Sequence, residues 1–128
     1  MTLLKIVSSG LAAWVFGFAW YILWSKPWAA SAGARPVPKT NSGILRPFLL
    51  SALALMIAAA GLYYLFDRAV IVTVVEGSLF GLGIGAVLIL PWIAITHLYP
   101  GRPAVLTLID GGYVVGGCGI IGAMLTTF

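Results

Sequence analysis

Charge is what this 128-residue chain has least of: three acidic residues, seven basic ones and a single histidine. Charged residues make up 8% of the chain and hydrophobic ones 62%, with a mean hydropathy of +1.11. A small soluble fold leaves much of its surface exposed and could not hide so much apolar area, so the bilayer is expected to be its solvent. The lone cysteine, Cys118, excludes an intrachain disulfide framework and any CxxC metal or redox site. His97, Glu76, Asp110 and Cys118 stand at no recognisable ligand spacing, so neither a metal nor a cofactor is expected. No nucleophile–base–orienter set occurs, no catalytic residue is assigned, and the chain is not expected to be an enzyme. Gly81-x-Gly83-x-Gly85 lies inside an apolar run rather than after a strand, which excludes a nucleotide loop. The net charge of +4 sits mostly in one segment, so it reads as a topology signal and not as a nucleic-acid footprint.

What is present is a succession of four apolar stretches, each near the roughly 20 residues that cross hydrocarbon as a helix. They run over about 3–24, 48–66, 69–99 and 104–128, the third expected to kink at Pro91. Lipid tolerates no unpaired backbone, and the stretches lack the alternation of barrel strands, so helices are the expected solution. The expected fold class is therefore all-α: a single polytopic membrane domain, residues 1–128, of four transmembrane helices packed as a small bundle. The first run is too long and too rich in tryptophan for a secretory signal, and it reads as a retained helix.

Segment 25–47 is the long loop, with Lys26, Arg35, Lys39, Arg46 and no acid. Asp67-Arg68 and Tyr99-Pro100-Gly101-Arg102-Pro103 are the expected turns. The loop and the Arg102 turn share one side of the membrane and hold five of the seven basic residues, which predicts a cytoplasmic loop with both termini outside. Trp20, Tyr21, Trp24 and Trp28 cluster at the end of the first helix as expected interface anchors.

Glycine carries the packing signal. Gly77, Gly81 and Gly85 recur every four residues, and Gly112, Gly116 and Gly119 form a second small stripe with Gly111, Cys118 and Gly122 on other faces. Close backbone approach drives helix association in lipid. The last helix, with small residues on several faces, is the expected centre of the bundle or of an oligomer. Gly10, Ala13 and Gly17, and Ser51, Ala54, Ala58 and Gly61, offer further small faces.

Two of the three acids, Glu76 and Asp110, fall in membrane-like segments. An ionisable group there costs at least about 2.5–3.5 kcal/mol, so it calls for a partner or a task. At 1.5 Å per residue, the runs beyond the two acids can each span about 27–30 Å, which sets the acids toward opposite faces and argues against a proton-sharing dyad. In one reading each acid pairs with a nearby base: Lys5 or Arg68 for Glu76; Arg102, His97 or Arg46 for Asp110. In the other, both face a common cavity and couple to protons or cations. His97 alone, with no second axial ligand, is a weak haem or chlorin ligand.

Two stretches resemble a known family. Gly17-Phe18-Ala19-Trp20-Tyr21 with Lys26-Pro27-Trp28, and His97-Leu98-Tyr99-Pro100-Gly101-Arg102-Pro103 with Leu108-Ile109-Asp110-Gly111-Gly112-Tyr113, are similar to the signatures of a small bacterial membrane family catalogued as domain of unknown function 1761. The resemblance implies four helices over nearly the whole chain and a bacterial inner-membrane location, and no activity. Members often carry a polar residue at the position of Asp110 and a histidine one turn later; here that position is Val114. The expected role is a non-enzymatic accessory or structural subunit whose partners are the bilayer and either its own copies or a larger membrane complex, with no nucleic acid. The alternative is a small proton- or cation-coupled transporter working as an oligomer.

Overall fold

A computed structural model describes residues 2–32 and 41–127; Arg35, Pro36, Pro38 and Lys39 of the long loop lie outside them. The described chain forms α1 (Thr2–Leu23), α2 (Ser25–Ala32), α3 (Asn41–Ala69), α4 (Val74–Ile84), a π-helical segment (Gly85–Ile89), α5 (Leu90–Leu98) and α6 (Ala104–Thr127), with no strand among the described residues. Four stretches are long and apolar enough to cross a membrane: Thr2–Leu23, Leu45–Ala69, Val74–Leu98 and Ala104–Thr127. The protein is an all-α, multi-pass membrane fold.

The helix ends depart from the expected ones for identifiable reasons. Residues 25–32 form a second helix after a break at Trp24, whose amide bonds to the Trp20 carbonyl and whose carbonyl accepts from the Trp28 amide. Pro27 is harmless there, since a helix's first turn has no use for its amide hydrogens. At the far end of the loop, α3 starts at Asn41 and carries Pro47 inside it. A proline in the second turn forfeits a single backbone bond, which the rest of a 29-residue helix outweighs.

Asp67 and Arg68 do not form the turn expected of them; both still lie in α3. The chain reverses at 70–73, where Val70 takes φ +57° and the amide of Ile71 bonds to the Phe66 carbonyl. A left-handed valine is costly, and it closes the helix where no glycine is present. Ahead of Pro91 the backbone widens into the π segment, with the Leu90 amide reaching the Gly85 carbonyl. This shift of register sits where the Pro91 ring would otherwise crowd the carbonyl one turn before it, so the irregularity is a π turn rather than a simple proline kink. The 99–103 turn is closed by Gly101 at φ +75°, with the Arg102 amide bonded to the His97 carbonyl.

The spanning helices are antiparallel neighbours in the spatial order α3, α1, α6, α4–α5. Between α4 and α6, a side chain on Gly77 would meet the Gly122 carbonyl, one on Gly81 the Cys118 carbonyl, and one on Gly85 the backbone of Val115. The other small stripe is divided between partners: Gly112 faces Trp20, Gly116 faces Phe16, and Gly119 faces Leu82. Gly10 of α1 lies against the Met56 backbone of α3. Because its glycines admit neighbours on several sides, α6 is the most deeply enclosed of the four spans. The core joins Ala13, Ala59, Leu62, Phe66, Cys118, Ile121 and Leu125 in the half of the bundle nearer the termini.

Candidate functional site

At the opposite, loop-side end, the helix register brings four polar side chains together. Thr107 and Asp110 are three residues apart on α6, so they share one face of its first turns. His97 closes α5 and is 6% exposed. Its Nε2 lies 3.2 Å from Asp110 Oδ2, and its Nδ1 lies 3.1 Å from Thr107 Oγ1. In the neutral ring, Nε2–H donates to the carboxylate and Nδ1 accepts from the threonine hydroxyl. The second carboxylate oxygen, Oδ1, accepts from the Tyr21 hydroxyl at 2.6 Å. One residue earlier, Trp20 Nε1 donates to the Ile109 carbonyl at 2.9 Å. Aromatic rings wall the cluster: Tyr21 meets Tyr113 at 5.3 Å and Trp28 at 6.3 Å, both edge to face.

The arrangement ties α1, α5 and α6 through one carboxylate. Each oxygen of Asp110 has a donor from a different helix, so the charge is not bare in hydrocarbon. Charge-assisted bonds of this kind are roughly twice as strong as neutral ones. His97 and Asp110 offer two ligands, short of the three or four a metal needs, and no group of three or more candidate ligands occurs among the described residues.

Glu76 sits elsewhere, in the first turn of α4 at the opposite end of the bundle. Its amide bonds to Thr73 Oγ1 at 3.2 Å, and its carboxylate reaches back to the amides of Thr73 and Val72 at 3.4 Å. This is a capping box at an exposed helix start, and it accounts for an acid that the hydropathy pattern places inside a span. The bases expected beside it lie apart: Arg68 stacks over the Tyr64 ring at 5.2 Å, and Lys5 lines a 280 Å³ cleft with Asp67 and Thr126. Arg46 and Arg102 are exposed, and the ion pair found among the described residues is His97–Asp110. Asp110 therefore pairs with the histidine rather than with either arginine expected near it, and Glu76 forms no ion pair among the described residues.

Tyr21 and Thr107 escape sequence reasoning. Tyr21 reads as an interface anchor, and its hydroxyl instead serves Asp110; Trp20 likewise spends its indole on a neighbouring helix. The signal that could have found them is the antiparallel register of α1 on α6, and that register depends on which glycine admits which ring. Cys118 is buried, with its carbonyl against Gly81.

Comparison with known proteins gives one result. A family model described as "Protein of unknown function (DUF1761)" matches residues 4–126. No curated protein and no solved structure matches the chain.

Proposed function

The chain belongs to the DUF1761 family, and from that premise we propose that it is a non-enzymatic integral membrane subunit that assembles with its own copies or into a larger membrane complex. One observation carries this reading. Gly10, Gly17, Gly77, Gly81, Gly85, Gly111, Gly112, Gly116, Gly119 and Gly122 all have a neighbour pressed into the place of a side chain, whereas Gly61 on α3 and Gly83 on α4 have nothing within 4 Å. A glycine inside a helix costs about 1 kcal/mol relative to alanine. At ten positions close packing offsets that cost, and at Gly61 and Gly83 nothing among the described residues does. Both lie on the outer helices, where a further helix can approach. The charge of the basic loop supports a cytoplasmic position for segment 25–47.

Coupled transport is less well supported, because Asp110 is engaged on both oxygens and Glu76 caps its own helix. The deciding experiment is oxidative cross-linking of Gly61→Cys and Gly83→Cys in intact membranes, followed by gentle solubilisation. Dimers or defined adducts are expected from at least one of the two. Recovery of a partner-free monomer without cross-links overturns the assembly reading. Proton or cation flux in vesicles that vanishes in Glu76→Gln, Asp110→Asn would establish transport in its place.

A further inference from the structure

The termini-side end of the bundle holds a cleft of about 280 Å³ between α1, α3, the 70–73 turn and the end of α6, with Lys5, Tyr63, Asp67, Val72 and Thr126 among its walls. The start of α1 meets the end of α3 there, and Thr2 Oγ1 and the Tyr63 hydroxyl share a hydrogen bond at 3.3 Å. Lys5, Asp67 and Thr126 each stand within one turn of the end of a span. The cleft therefore lies at headgroup depth rather than in hydrocarbon. Most polar groups around it are already engaged. The Tyr63 hydroxyl is bonded to Thr2, and the Thr126 hydroxyl donates to the Gly122 carbonyl at 2.8 Å. The Ile71 amide bonds to the Phe66 carbonyl, and the Val72 amide to the Glu76 carboxylate at 3.4 Å.

Two side chains are left over: the half-buried Lys5 and the exposed Asp67. They line one cleft with opposite charges, yet they form no ion pair with each other or with any other described residue. Arg68, next to Asp67 in the chain, lies over the Tyr64 ring instead. This pair specifies an occupant. An ammonium offers only donors and a carboxylate only acceptors, so the complementary molecule carries an anion for Lys5 and an N–H-bearing cation for Asp67. An anion alone would meet the like charge of Asp67, and a cation alone that of Lys5. The volume falls just short of drug-sized sites and suits a group the size of a headgroup. We propose that this cleft binds a zwitterion with the chemistry of phosphoethanolamine, its phosphate on Lys5 and its primary ammonium on Asp67. The depth of the cleft favours the headgroup of a phosphatidylethanolamine as the source. The inference is independent of whether the chain assembles with partners.

The test is native mass spectrometry of the full chain, purified in mild detergent and titrated with phosphatidylethanolamine, phosphatidylcholine or phosphatidylglycerol of matched chains. Wild type is expected to retain one phosphatidylethanolamine per protomer in preference to both others, because choline has no N–H for Asp67 and glycerol no charge. Lys5→Met is expected to lower that retention about fivefold. Asp67→Asn is expected to abolish the preference over phosphatidylglycerol, a ratio read within one preparation and so insensitive to any loss of folded protein. Equal retention of the three lipids by wild type overturns the proposal, as does undiminished retention in Lys5→Met or an unchanged preference in Asp67→Asn. Free O-phosphoethanolamine separates the sources. If it binds in a manner lost in both variants while no lipid is retained, the ligand is a soluble zwitterion of the same chemistry; if neither binds, the proposal fails.

Discussion

Asp110 accepts from Tyr21 on one oxygen and pairs with His97 on the other, so the three side chains should behave as a unit. His97→Ala strands a charge that is only a quarter exposed and is expected to destabilise the protein by about 2–3 kcal/mol. Tyr21→Phe, which leaves the His97 contact intact, should cost about 1 kcal/mol, and the double variant should cost less than the sum. Unfolding in denaturing detergent, read as a double-mutant cycle, checks the order; strict additivity would show that the cluster does not act as one. Glu76 belongs to another category. Glu76→Gln can still close the capping box and should be near neutral, whereas Thr73→Ala removes the cap and should cost about 1 kcal/mol. The sequence singles out Asp110, Glu76 and His97 because ionisable groups are rare in apolar runs. It does not name Tyr21 or Thr107, because tyrosine and threonine at a helix end are ordinary and become partners only through register.

Among the helices, glycine divides into two classes. Gly81 faces the backbone carbonyl of Cys118, which cannot move aside, so Gly81→Leu should force α4 from α6 and lose the folded state. Gly83 lies two residues on, toward the opposite face of the same helix, yet Gly83→Ala should leave the fold intact and raise monomer stability by up to about 1 kcal/mol. Thermal melts of both variants test the contrast, and equal effects would refute it. If the assembly face includes Gly83, the same alanine should weaken oligomers while it strengthens the monomer. The four-residue spacing of Gly77, Gly81 and Gly85 makes their packing face visible in sequence. That Gly112 and Gly116 turn toward α1 while Gly119 turns toward α4 is not, because one stripe on a helix can serve two neighbours once the helix lies between them.

For the whole molecule, four spans return the chain to the side from which it started. Thr2→Cys and Thr127→Cys should react with a membrane-impermeant thiol reagent from one side of sealed vesicles, and Arg102→Cys from the other. Labelling of Thr2→Cys and Thr127→Cys from opposite sides would exclude an even number of spans. The number of helices, their approximate extents and the enclosure of α6 follow from the chain's own composition, since length, apolarity and glycine spacing are local quantities that any bilayer reads alike. The helix ends, the π turn ahead of Pro91 and the Thr73–Glu76 capping box rest on local backbone geometry that hydropathy does not report, whereas the meeting of Tyr21, His97, Thr107 and Asp110 belongs to the folded structure alone. That meeting depends on how far one helix slides along another, and ring-against-glycine contacts between residues almost a hundred positions apart set that distance.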